Sequence, residues 1–369
     1  MKIIYSWAAH GQVAPYIERD IQQWKNAGFD ITSINHREYL GTDSAWSPTE
    51  LQRRYQARYP KLMDLYARVK SLASIHDVLV VNDDNVYHTE FIRSLNNVYR
   101  VLVSGDDPED SESCSKPYVS SFDHSFAWGI NYDSKSLVTE KFREWGSKRA
   151  DWWPYGVRAD MYEPSLTEED IATKERDIDL IFIGSPRLKL SRVAALKNAF
   201  PQMVIFGRGW SRRALFNEVR SHRAIYGKWS WGAAFASVRA VFLDLDKVQQ
   251  LPMSEIVGLY QRAKIGINIH MSHGPSNVRT FQLPANGVMQ VCDTQDGLSK
   301  VFELDKEVIG YDKISEAKRK IQYYLSHDDQ RKQIAIAGHR RTMSEYTRLE
   351  TFKRAMRNIS LGIQQKKLE

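Results

Sequence analysis

The sequence predicts an α/β protein of two doubly wound, parallel-sheet domains. Three observations carry that expectation. Strand-length apolar runs alternate with amphipathic helical stretches along the chain, the pattern that places helices on both faces of parallel sheets. The runs themselves, such as Val78–Val81 and Val98–Val103, are nearly continuous in apolar residues, as strands covered on both faces require. Finally, 369 residues at 42% hydrophobic and 11% aromatic content supply two cores of ordinary size.

The elements follow in order. Lys2–Ser6 reads as a first strand. Val13, Ile17, Ile21 and Trp24 share one helical face, and Gly28 ends that helix. Asp30–Ile34 is the second strand. Ser47-Pro48-Thr49-Glu50 has the form of a capping box with proline at the first helical position, and Pro60 divides the apolar-periodic stretch that follows. Asp77–Val81 and Val98–Val103 are further strands. A charged stretch after Pro164 runs to Asp177, and Asp179–Ile183 opens a second set of strands with Met203–Phe206 and Ile265–Ile269. Residues 229–251, with Trp229, Trp231 and Phe235, read as an insertion or lid. A helix is expected to begin at Ser326, and a last one to run from about Tyr346 to Ile363.

Composition narrows the function classes. Two cysteines, Cys114 and Cys292, build no disulfide framework, and Cys292 ends an apolar run as a core thiol does. The first six residues turn polar too quickly for a signal peptide, and no run of 18 apolar residues exists, so a cytoplasmic enzyme is the expectation. Net charge is +7, with Arg208, Arg212, Arg213, Arg220, Arg223 and Lys228 clustered mid-chain. A basic surface favours anionic partners: sugar nucleotides, anionic lipid at a membrane surface, or nucleic acid.

Gly274–Asp293, GPSNVRTFQLPANGVMQVCD, reads as loop, short helix and buried strand. Ser276 is placed to cap the helix. Its first turn carries Asn277 and Arg279, so unpaired N–H groups, a positive dipole end and a guanidinium converge where a diphosphate would bind. Asn286-Gly287 ends the helix, and Val288–Val291 enters the sheet.

This stretch resembles the donor-site signature of GT-B glycosyltransferases, closest to the CgeB-type, spore-maturation-like family with its N-x-R-x-F-E-x-x-A-x-G segment. Asn277, Arg279, Phe281, Ala285 and Gly287 match. Gln282 stands where the family has a ribose-holding glutamate, and Pro284 departs from the pattern in a way that kinks or ends the helix. A second segment, P-x-G-V…Y-x-P, matches at Pro154, Gly156, Val157, Tyr162 and Pro164, where the family closes its first domain. The resemblance implies two Rossmann-like domains facing across a cleft. An acceptor-binding domain would span 1–160 and a sugar-nucleotide-binding domain 161–345, with a helix, 346–369, crossing back to the first. It implies transfer of a sugar from a nucleoside-diphosphate sugar to an acceptor hydroxyl, as in glycan biosynthesis, by a hexosyl- or deoxyhexosyltransferase that needs no metal or other cofactor.

In doubly wound domains, ligands bind at the carboxyl ends of the strands. The candidates are therefore loop residues. On the donor side they are Gly184, Ser185 and Arg187 after one strand, Gly207 and Arg208 after another, His270, and then Asn277, Arg279, Thr280, Phe281 and Gln282. The acceptor base is expected at Asp107, then Asp106, with His10 as a third candidate; Asp106 and Asp107 resemble the family's D-D-P segment. A glutamate pair eight apart, common in retaining GT-B families, is missing, since Gly274 and Gln282 occupy those places, and the stereochemical outcome stays open. A DNA- or RNA-modifying glycosyltransferase, a sugar-nucleotide epimerase and a catalytically silent binding protein are the alternatives. Sugar, nucleotide, acceptor and oligomeric state are not encoded legibly.

Overall fold

The structure, a computed structural model, describes residues 1–8, 14–41, 46–82, 86–105, 111–187, 189–215, 217, 231–270, 277–293 and 295–368. His10, Asp106, Asp107, Ser276 and Trp229 lie outside them. The chain divides into two compact units, Met1–Arg158 with Tyr346–Glu369, and Ala159–Glu345.

The first unit holds a six-stranded, wholly parallel sheet: β1 (Lys2–Trp7), β2 (Asp30–Asn35), β3 (Val78–Asn82), β4 (Tyr99–Ser104), β5 (His124–Ala127) and β6 (Ala150–Trp152). Their order is β2-β1-β3-β4-β5-β6. Alternate residues of one strand enter opposite cores. Ile4, Leu79, Val81 and Leu102 face one; Ile3, Tyr5, Val78, Val80, Val101 and Val103 face the other. This period of two, with both faces apolar, is why the strands read as continuous runs. Helices α1 (Ala14–Asn26), α2 (His36–Leu40), α3 (Pro48–Gln56), α4 (Pro60–Ala73), α5 (Thr89–Ser94), α6 (Ser111–Cys114) and α7 (Val138–Glu144) complete the winding. Ser47 caps α3 by accepting from the Glu50 amide at 3.2 Å, but the Glu50 carboxylate turns to Arg53 and Arg54 rather than back to the cap, so only half of the expected box forms.

The second unit repeats the winding with five parallel strands: β7 (Ile178–Ile183), β8 (Val204–Phe206), β9 (Ala263–Asn268), β10 (Met289–Cys292) and β11 (Ile309–Gly310). Their order is β11-β10-β9-β7-β8. Strand order reverses between β7 and β9, so the switch point of this sheet lies where those two carboxyl ends open. The helices are α8 (Glu168–Thr173), α9 (Leu190–Ala199), α10 (Trp231–Phe242), α11 (Met253–Arg262), α12 (Arg279–Ala285), α13 (Gln295–Leu298), α14 (Ile314–Ser326) and α15 (Asp328–Glu345). Helix α16 (Arg348–Lys366) then returns to the first unit. There Phe352 stacks on Trp24 at 3.9 Å between ring centroids, and Arg348 pairs with buried Asp20 at 3.0 Å. Gly156, at φ +72, allows Val157 to donate to the Tyr346 carbonyl and to accept from Arg348; a Cβ there would lie 2.8 Å from that carbonyl oxygen.

One expectation needs correction, and two further features add to the reading. Ser326 ends helix α14 instead of starting one, and the next helix opens at Asp328-Asp329, where two carboxylates suit the positive end of its dipole. Strands β5 and β6 gave no apolar run because they are short and carry buried polar residues such as His124 and Ser125. The described part of 229–251, read as an insertion or lid, is mostly helix α10, packed on α9.

Candidate functional site

The elements at the β7/β9 switch point converge on one side chain. Arg279 begins α12, and its guanidinium spans the two strand ends. Nη1 donates to the Ile183 carbonyl at 2.9 Å and Nη2 to the Ile269 carbonyl at 3.0 Å. Nε donates to Asn268 Oδ1 at 3.2 Å. Three of its five N–H directions are thus used, leaving one on each terminal nitrogen. The group lies over the Phe182 ring, 5.3 Å from its centroid. Burial pulls its pKa down from the ordinary arginine value, yet a guanidinium stays charged in proteins. No described carboxylate forms an ion pair with it. All its printed hydrogen bonds go to neutral acceptors, and the Asp293 carboxylate, itself paired with Arg192, supports its charge through space, which leaves the guanidinium suited to an added anion.

Asn268, fully buried at the end of β9, organises the surroundings. Its Oδ1 accepts from Asn277 Nδ2 at 2.8 Å as well as from Arg279, and its Nδ2 donates to Thr280 Oγ1 and Gln290 Oε1, both at 3.1 Å. Asn277 in turn accepts from the Thr280 amide at 3.2 Å, satisfying a first-turn N–H of α12 in the way expected of Ser276. Pro284 removes the N–H that would close on the Thr280 carbonyl, and Gln290 Nε2 takes that carbonyl at 3.3 Å. Gly287, at φ +64, ends the turn as expected.

Beside this lies a second network. The Asp293 carboxylate accepts from the His270 amide at 3.0 Å, faces His270 Nδ1 at 2.7 Å, and pairs with Arg192 at 2.5 Å. Arg192 also donates to the His270 carbonyl at 2.7 Å. Cys292, whose thiol burial pushes up, sits with them. Ligand atoms of His270, Cys292 and Asp293 lie within 4.8 Å of one another. The carboxylate is already engaged by a guanidinium and the thiol is held protonated, so the trio works as a hydrogen-bond network fixing the turn after β9. The two D-x-D triplets of the chain are also neutralised: Asp177 and Asp179 by Arg262 and Lys264, Asp244 and Asp246 by Lys247 and Arg212.

The loops after β7 and β8 are fastened together. Gly184 donates its amide to the Phe206 carbonyl at 2.8 Å and accepts Trp210 Nε1 at 2.7 Å. Gly207, at φ +140, crosses so closely that a Cβ would lie 2.7 Å from the Gly184 carbonyl carbon, and a Cβ on Gly184 would collide with Arg279 Nη1. The Gly184 backbone is therefore spent on the loop junction and not open to a phosphate, contrary to expectation. Ser185 follows it half-buried, with a hydroxyl that bonds no described residue. Arg187 and Arg208 are exposed on these joined loops and also lack a described partner.

The other expected donor contacts divide. Asn277, Ser185, Arg187, Arg208 and Arg279 are at the strand ends. Thr280 and Phe281 are fully buried; Phe281 packs near Phe302, ring centroids 6.4 Å apart, and presents no surface for a base. Gln282 is buried, with its side-chain nitrogen donating to the Met161 carbonyl (3.4 Å) and to the Met253 sulfur (3.3 Å). His270 is buried in the Asp293 network. Asn268, Gln290, Arg192 and Asp293 were not singled out from the sequence. A polar residue inside an apolar strand, such as Gln290, was the available signal.

Comparisons with known proteins agree with this architecture. Residues 190–356 match a family model described as "Glycosyl transferase-like". A sucrose-phosphate synthase of Thermosynechococcus elongatus is 11% identical, with a TM-score of 0.59, over 98% of this chain and 99% of that one. A glycosyltransferase of Rickettsia africae is 14% identical (TM-score 0.59, 98% of each chain), and HepE of Anabaena, solved with UDP-glucose, is 12% identical (TM-score 0.58, 98% and 99%). No curated protein sequence matches the chain. At such identities the solved structures speak for the fold: parallel α/β sheets in two domains, as in GT-B glycosyltransferases.

Proposed function

We propose that the protein is a glycosyltransferase that takes its sugar from a nucleoside-diphosphate donor held by the second unit. The observation that carries this is the Arg279 guanidinium, which bridges the carboxyl ends of β7 and β9 with no described carboxylate in direct ion-pair contact. A switch-point cleft is where doubly wound sheets bind ligands, and a fixed cation there recognises a diphosphate. The two open N–H directions of Arg279, the Ser185 hydroxyl and the exposed Arg187 and Arg208 supply the donors. Such pre-positioned charge stabilises the nucleoside diphosphate as it leaves, the largest contribution a protein makes to this chemistry. Cationic side chains fill the role a metal has elsewhere, so the transfer is assigned no metal. The Anabaena neighbour is described with UDP-glucose, which makes UDP-sugars the first donors to try. The CgeB-type assignment and the acceptor base, Asp107 before Asp106 and His10, rest on the sequence resemblance.

Calorimetric titration of the full chain with UDP, UDP-glucose and other nucleoside-diphosphate sugars, with turnover followed by release of the nucleoside diphosphate, tests the reading. Binding of at least one of them at micromolar to sub-millimolar level is the expected result. If none binds at millimolar concentration, the reading fails.

A further inference from the structure

We propose that helix α10 docks the protein on an anionic lipid bilayer. This surface is separate from the residues assigned to donor binding, and it does not depend on the transferase reading.

The helix is amphipathic in an inverted sense. Its buried face consists of small residues, Ala236, Ser237 and Ala240, packed on α9. Its exposed face carries Trp231, Phe235, Val238 and Phe242, at 79%, 72%, 46% and 85% exposure. At about 100° per residue these four fall within an arc of roughly 60°, opposite the buried face, and they extend over about 16 Å. Every exposed tryptophan and phenylalanine among the described residues is on this helix. Four large side chains aligned outward form a continuous stripe, unlike the scattered apolar residues that any surface shows.

Charge identifies the partner. The whole chain carries a net charge of +7, and its described acidic residues do not neutralise the cations next to the stripe. Arg239, on the flank of the stripe, and Arg213 are exposed with no described partner. Aromatic residues on one face with cations beside them are what an interfacial helix presents: rings enter the headgroup boundary while guanidinium groups meet lipid phosphates. A nucleic acid would use the cations but leave the stripe wet. A second copy of this chain would bring +7 against +7.

The experiment is flotation of the full chain with vesicles of phosphatidylcholine alone and of phosphatidylcholine with about one-third phosphatidylglycerol. The protein is expected to float with the anionic vesicles, to remain behind with the neutral ones, and to be released as salt rises. The variant W231S/F235S/F242S should bind anionic vesicles at least about tenfold more weakly. Since the three side chains face solvent, its thermal melt should match the parent. R213Q/R239Q should shift release to lower salt. No flotation with anionic vesicles at low salt overturns the proposal, as does equal flotation of the triple variant with an unchanged melt. A concentration-dependent dimer that the triple variant abolishes, with vesicle binding unaltered, overturns it in favour of self-association. Should the triple variant melt lower, the single variant F242S, from the most exposed ring, carries the same comparison.

Discussion

Replacing Arg279 by lysine separates charge from geometry at the switch point. The guanidinium reaches the Ile183 carbonyl, the Ile269 carbonyl and Asn268 Oδ1 together, at 2.9, 3.0 and 3.2 Å. A lysine ammonium is a point charge on a flexible stem and cannot bridge both strand ends. At least two of the three hydrogen bonds are lost. Each bond to a charged donor is worth about 1.5–3 kcal/mol, and part is regained through water at this half-buried site, leaving about 2–4 kcal/mol of destabilisation. For a unit of this length that is a fall in Tm of roughly 4–16 °C. Scanning calorimetry of the full chain reads it directly. UDP affinity, measured in the same samples, should fall by at least about tenfold in Arg279→Lys and further in Arg279→Gln, which removes the charge as well. A Tm within about 1 °C of the parent would refute the stitching of the strand ends, and undiminished UDP affinity in Arg279→Gln would refute the role of the charge.

Other consequences follow from the same geometry. Gly207→Ala places a Cβ against the Gly184 carbonyl at a φ of +140 and should cost at least about 2 kcal/mol in urea unfolding; a loss below about 0.5 kcal/mol would mean the loops are not joined as described. Arg348→Ala removes the guanidinium that pairs with buried Asp20 and should destabilise the first unit by about 3–5 kcal/mol, whereas a cost under about 1 kcal/mol would show the pair to contribute little. Stability should decline on mild acidification. Burial lowers the pKa of His339, which sits on the Pro284 and Ala285 carbonyls, and also of His88 and His124. A histidine whose folded pKa is depressed contributes fully above its unfolded value, about 6.5, and loses that contribution as pH falls through the folded value. The urea midpoint should therefore drop between about pH 7 and 5, less steeply in His339→Gln; an unchanged slope in that variant would contradict the assignment.

The strands that were legible in the sequence are those buried on both faces. Ile3–Ser6, Val78–Val81 and Leu180–Ile183 declare themselves because every side chain in them is buried. β5 and β6 hide because they are short and bury His124 and Ser125 against polar partners, which periodicity does not register. The site shows the same division. Asn277 and Arg279 were visible as polar residues at a helix start. Phe281 and Gln282 were placed by pattern alone, and the packing of α12 turns both inward, since one face of a short helix wedged against β9, β10 and α15 leaves no free side. Asn268, Arg192 and Asp293 act through partners 9 to 101 residues away, a separation at which spacing carries no signal.

The most direct test of the account is where a nucleoside diphosphate lies. Diffraction from crystals of the full chain soaked with UDP should reveal the diphosphate within hydrogen-bonding distance of the free N–H groups of Arg279, with the Ser185 hydroxyl beside it. UDP bound elsewhere, with the space above the β7 and β9 ends occupied only by water, would contradict it.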